Sequence, residues 1–174
     1  MRGTWRYSRE LFWHYWLPVL ILLAAIAMES TEKMSGHNTL HVMQRLLAAL
    51  GVHLAEAHME MLNLAMRKCG HATGYGLLGL SWMILLRGHY WLRHDAKPRR
   101  GEYLPILRLW WRKEWALLAV LFTFTVAAAD ELHQMVLPDR SGSWWDVTLD
   151  TSASLLVMVV LYLLARWRCR MRNA

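Results

Sequence analysis

The chain has 174 residues, 56% of them apolar and 11 of them Trp, with a formal net charge of +7 and a mean hydropathy of +0.17. An apolar excess of this kind excludes a disordered chain and argues against a water-soluble domain; it fits one small integral membrane domain covering residues 1–174. The basic residues alternate with apolar runs and form no continuous stripe, which argues against a nucleic-acid surface.

Four apolar stretches, at about 11–28, 71–90, 115–130 and 151–167, predict an all-α integral membrane bundle of four transmembrane helices. Several are shorter than the roughly 20 residues that a bilayer core requires. Snorkelling by Arg112, Lys113 and Arg166 extends them, and Trp13, Trp16, Trp91, Trp110, Trp111, Trp115, Trp144, Trp145 and Trp167 supply interfacial belts. No small-residue cleavage site follows the first span, so it reads as part of the mature protein. The N-terminal tail, the segment Arg87 to Glu114 and the tail from Arg166 hold 15 Lys and Arg against 4 Asp and Glu, whereas the two intervening segments hold 5 against 9. The positive-inside rule therefore predicts cytoplasmic termini and a cytoplasmic middle loop.

The long outer segment after the first span carries Leu40, Met43, Leu47, Leu50, Leu54, Met61, Leu62 and Ala65 near a helical period, which predicts one or two amphipathic helices, with Gly51 as the break. These helices lie along the interface or form a lid over the bundle. The second span opens with Lys68, His71 and Tyr75 on one helical face, among Gly70, Gly74, Gly76 and Gly79, whose small size lets another helix approach. The loop that follows it, with its Lys-Pro-Arg-Arg-Gly run, reads as a solvated turn near lipid headgroups.

The polar groups concentrate in Ala129 to Thr151, between the third and fourth spans. Asp130, His133 and Gln134 fall on one side of the end of the third helix, with Glu131 about a quarter turn away, as ~100° per residue dictates. Pro138 and Asp139 form a turn, and Arg140, Ser141, Gly142 and Ser143 lead into the fourth helix. Ser143 and Asp146 match a capping box, while Asp150 lies a turn deeper. In the predicted topology Glu29 and Ser30, Lys68 and His71, Asp130 to Gln134, and Arg140 to Asp150 all reach the same outer face, which predicts a shared polar pocket. Backbone N–H groups near Ser143, with Arg140 and Lys68, suit an anion such as a phosphorylated lipid headgroup. A closed network that only ties helix ends together is the alternative.

Asp130, Glu131, His133, Asp146 and Asp150 offer hard ligands, but their spacing matches no metal signature, so no metal or cofactor is assigned. There is no GxSxG elbow, and Cys69 and Cys169 are expected on opposite sides, where they cannot pair.

The sequence Asp130-Glu131-Leu132-His133-Gln134, then Pro138-Asp139-Arg140-Ser141-Gly142-Ser143, then Asp146-Val147 and Leu149-Asp150-Thr151, resembles the signature of VanZ-like membrane proteins. Lys68-x-x-His71 with Tyr75 is similar to an element of the same family, and Glu29-Ser30 stands where many members have a polar segment after the first span. Asp139 departs from the commoner Gly of the turn, and the outer segment 30–67 is longer and richer in His and Met. The resemblance implies a multi-pass protein of the bacterial cytoplasmic membrane in a family named for teicoplanin resistance, and fixes no biochemical activity. Two functions stay open. In one, a site for an anionic cell-envelope lipid or glycan headgroup uses Asp130, Glu131, His133, Asp146 and Asp150 for acid-base chemistry, and Glu29, Ser30, Lys68, His71, Tyr75, Gln134, Arg140 and Ser143 to hold a membrane lipid or lipid-linked precursor. In the other, a non-catalytic envelope factor or small lipid transporter uses the same cluster as a gate or lock.

Overall fold

The computed structural model describes residue 9 and residues 11–31, 36–94, 111–137 and 142–172. The expectations that rest on Pro138, Asp139, Arg140 and Ser141, and on the basic turn within 95–110, lie outside these residues. All regular structure among the described residues is helical: α1 (Phe12–Glu29), α2 (Gly36–Ala49), α3 (Glu56–His94), α4 (Lys113–Gln134) and α5 (Trp144–Arg172).

Local chemistry sets each boundary. The first five residues of α1, Phe12–Trp16, wind as a π-helix directly before Pro18, whose missing N–H would break a regular α ladder. Helix α2 stops at Gly51, as the sequence predicts. Gly51 has φ of 73°, its N–H bonds to Ala48 O at 3.0 Å, and the N–H of Val52 bonds to Leu47 O at 2.9 Å. Together these form a Schellman cap, in which the left-handed residue is best a glycine.

One boundary differs from expectation. The second outer helix and the second span are one uninterrupted 39-residue helix, α3, about 58 Å long at 1.5 Å per residue. No proline interrupts residues 56–94, and isolated glycines cost only about 1 kcal/mol each in a helix, too little to break it. Helix α5 begins at Trp144, seven residues before its apolar span and where the capping pattern places it, with Ser143 as its cap: the Ser143 Oγ accepts the Trp145 N–H at 3.2 Å. Asp146 and Asp150 therefore lie on the first turns of a helix.

Helices α1, α3, α4 and α5 share one core of Val19, Ile26, Tyr75, Leu78, Leu85, Ala127 and Val147. A second core of Met83, Trp115, Ala116, Ala119, Met158 and Leu161 joins α3, α4 and α5. Helices α1 and α4 end at the layer where α5 begins, so α3 and α5 run one way and α1 and α4 the other. Gly79 on α3 lies against Ser154 on α5, where a β-carbon would meet the serine side chain. Gly76, five residues on from His71, faces Val157 and the Ala153 carbonyl in the same seam.

Phe12–Glu29, Lys113–Gln134 and Trp144–Arg168 are long and apolar enough to cross a membrane, and only 11%, 33% and 28% of their windows are buried inside the protein. Leucines such as Leu117, Leu155 and Leu163 point outward, the reverse of a soluble fold, so this is a multi-pass membrane protein. Three such helices stand where four spans are expected. Helix α3 is the exception, because its turns carry His71, Tyr75, several glycines and Arg87. It packs against each of the other four helices, and a helix so enclosed by protein has less need of an apolar surface. At the other end of α4, the Arg112 guanidinium lies over the rings of Tyr90 and Trp115, 5.4 and 5.2 Å from their centroids.

Candidate functional site

The last turn of α4, the first turns of α5, the end of α1 and residues 68–75 of α3 meet in one polar layer. Two spacings on α3 and one on α5 produce it. Lys68, His71 and Tyr75 lie three and four residues apart, so each projects from the same face one turn below the last. Asp146 and Asp150 stand four apart on α5. Because α3 and α5 run in the same direction, these form successive rungs: Lys68 Nζ to Asp146 Oδ1 at 2.9 Å, then His71 Nδ1 to Asp150 Oδ2 at 3.4 Å. Tyr75 reaches past α5 to α4 and donates its hydroxyl to Asp130 Oδ2 at 3.0 Å. The His71 and Tyr75 rings lie nearly parallel, 6.1 Å apart.

The acidic residues have different surroundings. Asp130 is saturated: Ser30 Oγ donates to its Oδ1, and Tyr75 OH and Gln134 Nε2, both at 3.0 Å, donate to its Oδ2. It ties α1, α3 and α4 together. Glu131 is also committed, since its Oε2 accepts the Ser143 N–H at 2.7 Å. That N–H is the one a capping box assigns to the carboxylate three residues on. The predicted box is thus half formed. Ser143 Oγ caps α5, but Glu131 from the neighbouring helix replaces Asp146, which is free to pair with Lys68. Gly142 makes this close approach possible, because a β-carbon there would collide with the Glu131 carbonyl oxygen and Met135.

Asp150 differs. It is 1% exposed, and among the described residues its Oδ2 has only the long contact with His71 and its Oδ1 has no hydrogen-bond partner. One turn deeper on the same face, the buried hydroxyl of Ser154 also lacks a partner. Neither Ser154 nor Gly142 is singled out as a site residue in the sequence. The four-residue spacing from Asp150 is the signal that finds Ser154.

Of the predicted site residues, Ser30, Lys68, His71, Tyr75, Asp130, Glu131, Gln134, Ser143, Asp146 and Asp150 are in the layer. His133 is not: it is exposed on the outer side of α4. The buried face of that helix is set by Ala127, Asp130, Glu131 and Gln134, and His133 lies about 100° round from its centre. The sequence reading centred the face one residue too far toward His133. Glu29 is exposed at the rim, lining a groove with His71. Arg140 lies outside the described residues. Among the described residues no group of three or more His, Cys, Asp and Glu is placed to hold a metal ion. The chemistry within reach is that of an Asp–His pair, in which the carboxylate orients Nδ1 and leaves Nε2 to accept or donate a proton, beside a Lys–Asp pair.

Outward-facing leucines on three long apolar helices, with a buried polar layer at one set of helix ends, define a helical multi-pass membrane protein. The family model described as VanZ/LLP1 matches residues 11–166, so the chain belongs to the VanZ/LLP1 family. Searches of curated proteins and of solved structures return no match.

Proposed function

We propose that this protein binds, and acts on, the anionic headgroup of a cell-envelope lipid or lipid-linked glycan in the polar layer. In this reading it is an envelope protein of the bacterial cytoplasmic membrane, associated with glycopeptide resistance or envelope integrity. Both termini are cytoplasmic, α3 is the fourth crossing, and the layer faces outward. His71 and Asp150 are the working pair. Arg67 and Lys68, on the turn before His71, hold the anion with it, Asp146 positions Lys68, and Asp130, Glu131 and Gln134 keep the helix ends in register.

The observation that carries this reading is the idle oxygen of Asp150. A lock built only to join helices satisfies its buried acceptors, because an unpaired one costs about 1–3 kcal/mol. Asp130 in the same layer meets that standard and Asp150 does not.

The test is native mass spectrometry of the protein released from its membrane, with the melting temperature measured in parallel. Asp150→Asn and His71→Ala are expected to lose a co-purifying phosphorylated lipid while melting within a few degrees of the parent. Should both variants melt early, and the parent carry no phosphorylated lipid, the cluster is a lock and the proposal fails.

A further inference from the structure

Resting on that reading, we infer that the ligand is a phospholipid whose acyl chain lies in the groove beneath α2, with its phosphate at Arg67 and His71. A groove of about 380 Å³ separates α2 from α3, within the usual range for small-molecule sites. Its walls are apolar: Val42, Met43 and Leu46 from α2, and Met66 from α3. Three of these four are more than half exposed, Val42 by 58%, Leu46 by 62% and Met66 by 59%. Water is a poor solvent for such a surface, and a hydrocarbon chain is its natural complement.

One end of the groove is charged. Arg67 and His71 are four residues apart on α3, so they share a face, and Glu29 comes in from the end of α1. Two basic groups and one carboxylate complement a headgroup that carries a phosphate and an amine better than one that carries a phosphate alone. His71 belongs to both places: it lines the groove and is bonded to Asp150. A chain lying under α2 therefore delivers its headgroup to the working pair. Helix α2 is held at its start, where Asn63 Nδ2 donates to Gly36 O at 2.9 Å and Arg67 packs against Gly36.

Gly70 gives a direct test. It lines the groove, and a β-carbon there meets nothing within 4 Å, so a larger side chain can fill the groove without displacing backbone. The full chain is placed in nanodiscs containing a trace of phosphatidylethanolamine with a diazirine at the end of one acyl chain. Illumination is expected to label Val42, Met43, Leu46 or Met66 at least fivefold more than the outward-facing Leu117 and Leu155. Gly70→Leu is expected to remove that excess, leave labelling of Leu117 and Leu155 unchanged, and spare the melting temperature. Gly70→Ala, which adds one methyl in the same space, is expected to keep most of it. A diacylglycerol probe with the same chain is expected to label the groove weakly, and a phosphatidylglycerol probe to gain on phosphatidylethanolamine when Glu29→Gln is introduced.

Groove labelling no stronger than at Leu117, or untouched by Gly70→Leu, overturns the inference, as does equal labelling by diacylglycerol. Asp150→Asn separates the two claims. Groove labelling that persists in a variant with unchanged headgroup binding supports the chain site and defeats the role given to the polar layer.

Discussion

Asp130 and Asp150 are both buried aspartates beside Tyr75 or His71, yet their partners assign them opposite tasks. Asp130 accepts from three side chains, so Asp130→Asn places an amide N–H₂ against existing donors. It is expected to destabilise the protein by about 1–3 kcal/mol, seen as a lower denaturation midpoint in detergent. Asp150→Asn is expected to leave that midpoint nearly unchanged, since only one long contact is at stake. His133→Ala should fall within about 0.5 kcal/mol of the parent, as do most exposed substitutions. Ten of the thirteen residues chosen from the sequence meet in the layer because helical spacing at the ends of apolar runs is readable without coordinates. His133 was misplaced for a rotational reason. The pattern gives the periodicity of α4, but the direction of its buried face depends on which neighbours it meets. The division of labour between the two aspartates is also hidden, because it rests on donors that two other helices bring to Asp130 beside Gln134 of its own helix.

Glycines fix how closely the helices approach. Gly79 admits the Ser154 side chain, so Gly79→Ala should strain the α3–α5 seam by about 1–3 kcal/mol. Ser154→Ala removes the hydroxyl nearest the clash. A double-mutant cycle on the two sites is therefore expected to recover about 0.5–3 kcal/mol, and an additive result would show that the two side chains do not touch. Gly142 acts at the other end of α5. A methyl there strikes the Glu131 carbonyl and Met135, so Gly142→Ala is expected to pull Ser143 away from Glu131 and fray the first turn of α5. Faster amide exchange at Trp144 and Trp145 would report it. The sequence marks Gly79 as a packing point and Gly51 as a break from residue type alone; it marks Gly70 and Gly74 in the same way, yet both face open space, and it gives Gly142 no packing role. It does not reveal that α3 is continuous, because amphipathic and apolar stretches can share one axis when nothing between them ends a helix.

At the level of the whole chain, the charge distribution and the helix directions agree. Helices α1 and α4 end in the layer, α5 starts from it, and Arg112, Lys113 and Arg166 lie toward the opposite ends of α4 and α5. A periplasm-active reporter fused after Pro138 is expected to work and one fused after Pro98 to fail; the opposite pattern would invert the proposed topology. What the sequence could not supply was the number of crossings as helices of sufficient apolarity. Helix α3 carries His71, Tyr75 and Arg87 and is not among the three helices apolar enough to cross a membrane.

The unbroken axis of α3 has a mechanical corollary. With no joint between Glu56 and His94, the wall of the groove and the far end near Arg87 are a single stiff beam. Rocking this beam by five degrees about its midpoint would carry each tip about 2.5 Å, from the ~1.5 Å rise per residue. A guest wedged against Met66 and an event at the far end of α3 would therefore share one lever.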